Sequence, residues 1–315
     1  MNPPRVTILM PLYNAERFVA QALRSLLQDQ SVALEVIVID HQSRDRSVAL
    51  VEAVGDPRLR LVTHQGGGIA DVLNTGLGLA GGEFIGRCDA DDLYPPNRLA
   101  AQIAWLGQHP EFAAVAGNYA AIDPAGRPLI QFQCGDQEAD ITEELRTGLT
   151  RTHLGTFLIR TPVLQQLGGF RPYFTTAEDI DLQLRLGDAY RVGYRPQVVY
   201  HYRIHPRSIT HTRAANQREF FDQVAQRFQQ QRQTEGKDDL QRGCPPPVPP
   251  PRTAPYSAPH HSQDFLIGRA WREVAQGQRR QALGSSLRAW WAYPQNLRAW
   301  PEIARLWLKL AWPRG

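Results

Sequence analysis

Three carboxylates stand within four residues at Asp89-Ala90-Asp91-Asp92. Like charges this close resist being buried together unless a cation or a proton compensates them. Hard oxygen ligands suit magnesium or manganese, either of which can bridge onto a diphosphate. The same tetrapeptide also reads as a solvated acidic turn before a helix that Pro95 and Pro96 begin, with Asp92 the most structural of the acids. A second acidic group, Glu178-Asp179, opens a helical pattern, where acids complement the helix dipole. Asn14 and the run Asp40-His41-Gln42-Ser43 offer polar groups that could read a nucleotide base and ribose, or cap helices. Gly66-Gly67-Gly68 precedes a helix, but no Lys-Ser/Thr follows it and the GxGxxG spacing is missing, which argues against a P-loop.

The elements that must position these residues are visible as apolar runs at Val6–Met10, Leu34–Ile39, Leu59–Val62, Phe84–Cys88 and Ala113–Ala116. Amphipathic stretches alternate with them; Phe18, Ala22 and Leu26, with Leu23 and Leu27, share one helical face. Continuous apolar runs predict strands buried on both faces, in a sheet wrapped by helices. Ligands in such sheets sit beyond the carboxyl ends of the strands, where the polar residues above fall. Residues 153–232 predict a strand near Leu154–Arg160, a helix over Glu178–Leu186, a strand over Gln197–Ile204 and a helix burying Phe220, Phe221, Val224 and Phe228. The fold class expected is α/β: a Rossmann-like mixed sheet flanked by helices, followed by a proline-rich linker and a small helical C-terminal segment.

Composition sets the outer bounds. The 315 residues are 42% hydrophobic and 21% charged, a globular balance. The net charge of +4 is unevenly spread: residues 262–315 hold nine Arg or Lys against Asp264, Glu273 and Glu302, so the preceding residues sum to −2. A mildly acidic body argues against nucleic-acid binding. Cys88, Cys134 and Cys244 suit neither a disulfide framework nor a zinc site, which favours a reducing compartment. We expect no signal peptide and no membrane-spanning helix. The expected organisation is a catalytic domain over 1–233, a linker over 234–261 and a Trp/Arg-rich helical segment over 262–315. That last segment holds Trp271, Trp290, Trp291, Trp300, Trp307 and Trp312.

The order of these pieces resembles the family 2 glycosyltransferases, which have a single A-type (GT-A) glycosyltransferase domain. The matching pieces are the strand and Pro-x-Tyr-Asn of Val6–Asn14, the strand and Asp-x-x-Ser of Glu35–Ser43, and Asn74-Thr75-Gly76. They continue with Gly82–Asp92 and its Asp-x-Asp motif, Gly168-Gly169-Phe170 ahead of Ala177-Glu178-Asp179, and Tyr202-Arg203-Ile204-His205 with Ser208. The resemblance implies a metal-dependent, inverting transfer of a sugar from a nucleotide-diphosphate-sugar to an acceptor hydroxyl, in polysaccharide, lipopolysaccharide or glycolipid synthesis. It implies Asp91 as ligand of Mg2+ or Mn2+, with Asp89 near metal and ribose and His205 as a further metal-side residue. It implies Asp179 as catalytic base supported by Glu178, and Pro11, Tyr13, Asn14, Asp40, His41, Asn74 and Asp89 as donor-binding residues.

His41 departs from the family pattern, which has a second acid at that position. An imidazole can donate or accept, so UDP-, GDP- and dTDP-linked donors all stay open. The acceptor expected is a saccharide or a lipid-linked sugar. A dinucleotide oxidoreductase is excluded by Pro11-Leu12-Tyr13-Asn14 where GxGxxG would stand; a non-catalytic sugar-nucleotide-binding scaffold is the alternative. In the tail, Ile303, Leu306, Trp307 and Leu310 form one apolar helical face with Arg305 and Lys309 on another. That face predicts peripheral contact with a membrane, or a bundle with Ile267, Trp271, Val274, Leu283, Leu287 and Trp290. The location implied is cytoplasmic, peripheral at the inner face of the plasma membrane.

Overall fold

A computed structural model describes residues 5–132, 134–255 and 257–311 of the chain, so Trp312 lies outside the described residues. Four strands follow the apolar runs: β1 (Arg5–Leu12), β2 (Ala33–Asp40), β3 (Leu59–Thr63) and β4 (Phe84–Arg87). They pair in parallel in the order β3-β2-β1-β4. Between them run α1 (Val19–Leu27), α2 (Ser47–Glu52) and α3 (Ile69–Leu79), and α4 (Arg98–Gln108) follows β4. Helix α1 turns Val19, Ala22, Leu23, Leu26 and Leu27 inward onto a core with Ile8, Val36 and Val38. Each such side chain is worth about 1.5–3 kcal/mol when fully buried.

Beyond β4 the sheet changes direction. Next in the chain come β5 (Ala114–Ile122), β6 (Pro128–Phe132), β7 (Ala139–Asp140), α5 (Thr142–Arg146) and a 3-10 turn at Leu154–Thr156. Strand β8 (Leu158–Arg160) then inserts antiparallel between β4 and β5. The segment expected to be one strand from Leu154 is therefore a tight turn followed by a short strand. Helices α6 (Thr161–Gln166) and α7 (Glu178–Ala189) lead to β9 (Val192–Arg203). The full order is β3-β2-β1-β4-β8-β5-β9-β7, with β6 on β5: a mixed α/β sheet, as the patterning predicts. Helices α8 (Ile209–Thr212) and α9 (Ala215–Glu235) follow, and α9 buries Phe221, Val224 and Phe228 against Phe174 and Leu184.

The chain divides into two compact units. The first holds residues 1–119, 132–202 and 218–249; the second holds 120–131, 203–217 and 250–315. The proline-rich stretch is engaged in each. In the first unit Tyr173 donates its hydroxyl to Pro246 O (2.7 Å), and in the second the Asn216 amide donates to Pro250 O (3.0 Å) and accepts from Arg252 N (3.0 Å). The second unit ends in α10 (Ala258–Ala275), α11 (Arg279–Ala292) and α12 (Trp300–Ala311). Ile303 and Leu306 are 2% and 0% exposed and pack with Leu266, Ile267, Ala270 and Ala289. Of the two expectations for that face, lipid or a bundle, the bundle is the one observed, while Leu283 and Leu287, expected inside it, stand 45% and 42% exposed. No helix among the described residues is long and apolar enough to cross a membrane.

Candidate active site

The acids after β4 are compensated by the protein itself. Arg87, the last residue of β4, donates from Nε to Asp89 Oδ1 (2.7 Å) and from Nη2 to Oδ2 (3.1 Å). Its Nη1 donates to Glu178 Oε1 (2.9 Å). One guanidinium therefore joins the Asp-x-Asp motif to the start of α7. Asp92, 1% exposed, accepts from the Tyr200 hydroxyl at 2.6 Å, and that hydroxyl accepts from Asp89 N at 3.3 Å. The cation that three adjacent carboxylates seem to demand is, for Asp89, an arginine of the same chain. Asp91 stays half-buried at the carboxyl end of the parallel strands, and Asp92 is structural as expected.

Helix α7 starts from Ala177, whose φ of 61° is left-handed and strained for a residue with a Cβ. This abrupt entry buries Glu178 and leaves Asp179 half-exposed in the first turn, where Asp179 Oδ1 accepts from Ile180 N (2.9 Å). Burial raises the Glu178 carboxyl to about 7; Arg87 pulls it down and Asp179 pushes it up. Glu178 is accordingly a support held by Arg87. Asp181, one turn of sequence on, is fully buried between Arg171 and Arg185 and is structural.

Two further groups feel the charge of Asp179. His153 stacks on Tyr200 (ring centroids 5.4 Å apart, 27° between planes), and its Nδ1 accepts from Gly155 N at 3.0 Å. Gly155 has to be glycine: a Cβ there would lie 2.6 Å from the Tyr200 ring. Burial lowers the His153 pKa, opposed by Asp179 and Asp89, which both lie close enough to act on it. The imidazole is neutral near pH 7, with Nδ1 an acceptor and Nε2 carrying the proton. Asp222 on α9 is raised to about 6 by burial, with Asp179 adding to the rise and Arg218 opposing it. Neither residue, nor Arg87, belongs to a motif. The one available signal was an arginine two residues ahead of three acids.

The expected donor residues gather where β1 and β2 end. Pro11 and Leu12 pair in register with Ile39 and Asp40. Asn14, at φ 47°, donates its backbone N–H to Ser43 Oγ (3.0 Å), and its side-chain Oδ1 accepts from Arg44 N (2.8 Å), lacing the two loops together. Buried Asp40 accepts from Ser43 N at 3.2 Å. Tyr13 is 62% exposed, its ring 6.1 Å from that of His41. His41 Nε2 lies 3.0 Å from Gly66 O. A carbonyl only accepts, so Nε2 carries the proton and Nδ1 of the neutral ring is an acceptor. Asn74 is engaged on another segment: its amide donates to Phe170 O (2.7 Å) and accepts from Phe170 N (2.8 Å), so it clamps the Gly168–Phe170 turn. His205 belongs to the second unit, buried, its Nδ1 accepting from Arg207 N (3.3 Å). Among the described residues no three His, Cys, Asp or Glu side chains gather as a metal-binding cluster.

This arrangement, acids at the ends of parallel strands beside the buried Glu178 and half-exposed Asp179, agrees with a family match: the model of Glycosyl transferase family 2 covers residues 7–168. The chain belongs to glycosyl transferase family 2. Family 2 relatives include the succinoglycan biosynthesis protein ExoO of Rhizobium meliloti, 32% identical over 206 residues, 61% of this chain and 56% of ExoO. The Escherichia coli UDP-Glc:alpha-D-GlcNAc-diphosphoundecaprenol beta-1,3-glucosyltransferase WfgD is 34% identical over 124 residues, 39% of this chain and 49% of WfgD. The chain thus spans about half the length of these two. A crystal structure of S. aureus TarS with UDP-GlcNAc superposes with a TM-score of 0.60 at 18% identity, covering 97% of this chain and 80% of that one, and shares the fold. The fold is of the GT-A type.

Proposed function

We propose that this chain, through residues 1–233, transfers a sugar from a nucleotide-diphosphate-sugar to an acceptor hydroxyl with inversion at the anomeric carbon. The observation that carries the reading is Arg87, which holds Asp89 and Glu178 together and so sets Asp179 beside the diphosphate motif. Asp179 takes the proton from the acceptor hydroxyl while that oxygen bonds to the anomeric carbon and the bond to the diphosphate oxygen breaks. A positioned general base is worth about 10²–10⁴-fold in rate. The transition state is oxocarbenium-like and needs no covalent intermediate. The Nε2–H of His153 points the reading further: it supplies a neutral donor among acids, suited to a sugar hydroxyl.

Divalent magnesium or manganese fits the acids present. Magnesium is commonly held by one or two carboxylates plus substrate phosphates, and Asp91 offers a hard oxygen while both oxygens of Asp89 are gripped by Arg87. The ion would supply positive charge to the leaving diphosphate. Acceptors in polysaccharide, lipopolysaccharide or glycolipid synthesis suit the relatives' names, and WfgD is named for a diphosphoundecaprenol-linked acceptor. The same reading puts the protein in the cytoplasm, peripheral at the inner face of the plasma membrane, with its C-terminal helices as the contact.

An acceptor at His41 Nδ1 would favour donor bases that carry a ring N–H. Uracil, thymine and guanine each offer a ring N–H to such an acceptor; cytosine and adenine offer a bare ring nitrogen there. Thermal unfolding with manganese and each nucleoside diphosphate tests this. UDP, dTDP or GDP should raise Tm by about 5 °C or more at a hundredfold excess over Kd, CDP and ADP should do little, and Asp91→Asn should lose the manganese-dependent part. Equal response to all five, or full manganese dependence in Asp91→Asn, would overturn the assignments.

A further inference from the structure

Helix α11 is packed the wrong way round for an ordinary amphipathic helix. Its inward face is made of small residues: Ala282, Ser285, Ser286 and Ala289 are 0%, 1%, 0% and 0% exposed. They are fixed by neighbours, with Gln263 donating to Ala289 O (3.0 Å) and Trp307 Nε1 to Ser286 Oγ (3.0 Å). Its large apolar residues face out: Leu283 is 45%, Leu287 42% and Trp291 72% exposed. At 3.6 residues per turn these three, four apart, fall within a sector of about 80°, and Arg280 falls inside it. Arg288 lies about 60° beyond the sector's edge, and both arginines are exposed. The aromatic end continues inward, since Trp290 lies 5.0 Å from Trp291 and 6.3 Å from the half-exposed Trp300, ring to ring.

We propose that this Leu283–Leu287–Trp291 face is the surface by which the chain docks on an anionic lipid bilayer. Charge selects the occupant. Between residues 274 and 301 the sequence holds four arginines (Arg279, Arg280, Arg288 and Arg298) and no acid. A second copy apposed on the same face would bring Arg280 and Arg288 against their own equivalents, and three side chains fall well short of the ~800 Å² per partner of a stable dimer. Leucine and tryptophan flanked by arginine match the headgroup boundary of an acidic membrane. The proposal deepens the reading of the C-terminal helices as a membrane contact and replaces the Ile303–Leu306 face, which is buried.

The test is co-sedimentation of the full chain with vesicles of phosphatidylglycerol and phosphatidylcholine, against phosphatidylcholine alone. The wild type should partition onto the anionic vesicles. Leu283→Ser/Leu287→Ser/Trp291→Ser, and Trp291→Ala in lesser degree, should bind at least about tenfold more weakly with an unchanged Tm, because the changed residues lie outside the bundle core. Arg280→Gln/Arg288→Gln should erase the preference for the anionic vesicles. If the wild type binds neither vesicle, the membrane reading and the face fall together. If the triple variant binds as the wild type does, only the face falls. A wild-type dimer that the triple variant dissociates, without vesicle binding, would assign the face to a second copy.

Discussion

A neutral imidazole whose Nδ1 is spent on a backbone amide has one polar group left to give. For His153 that group is the Nε2 proton, held between the influence of Asp89 and Asp179. Asparagine separates the two roles, because its Oδ1 can stand where Nδ1 stood and accept from Gly155 N while nothing replaces Nε2–H. His153→Asn should therefore keep its Tm within a few degrees and lose about ten- to a hundredfold in kcat, the scale of one lost hydrogen bond of about 1–3 kcal/mol. His153→Ala should lose stability as well. Full turnover in His153→Asn, measured with saturating donor, would make this residue a loop support only. At this scale Asp91 and Asp179 could be put forward from the sequence because each stands in an ordered series of motifs. Arg87 and His153 were not, because a lone cation or imidazole carries no spacing and becomes meaningful only when β4, the 153–156 turn and α7 converge. His41 was legible as a departure, but its tautomer depends on Gly66 O, a backbone atom 25 residues away.

Elements explain how the site is held. Strands β1, β2 and β4 announce themselves as apolar runs because both faces are covered, and their ends carry Asn14, Asp40 and Asp89 in the expected places. The three-residue β8 has no such run to show; its place between β4 and β5 follows from tertiary pairing. The entry to α7 depends on α3 through Asn74, which satisfies both the N–H and the C=O of Phe170. Asn74→Ala strips both bonds and should cost about 1–3 kcal/mol in a denaturant titration, with a parallel loss of turnover as Ala177 and Glu178 loosen. A cost below about 0.5 kcal/mol would show that the turn holds itself. The C-terminal helices teach the complementary lesson. Spacing marked out apolar faces on α11 and α12, but spacing alone does not say which face turns inward. Ala282, Ser285, Ser286 and Ala289 allow close approach to α10, and that packing sends the leucines out.

For the whole molecule, the even-looking charge of +4 conceals a catalytic body that is slightly acidic and a tail that is strongly basic. The division suits a chemistry that gathers anions only through a few placed groups, and a tail whose affinity is for a surface. The family match over residues 7–168 ends before α7, so Asp179, the base we propose, lies outside the matched segment and its role is argued from the geometry around Arg87. That makes Asp179 the residue on which the account stands. The decisive measurement is paired: donor affinity by titration with manganese present, and single-turnover transfer from the same donor, for wild type and Asp179→Asn. The Kd of Asp179→Asn should stay within about threefold of wild type, and its transfer rate should fall by about 10²–10⁴-fold. Transfer at the wild-type rate, or a donor that no longer binds, would contradict the role of Asp179 as base.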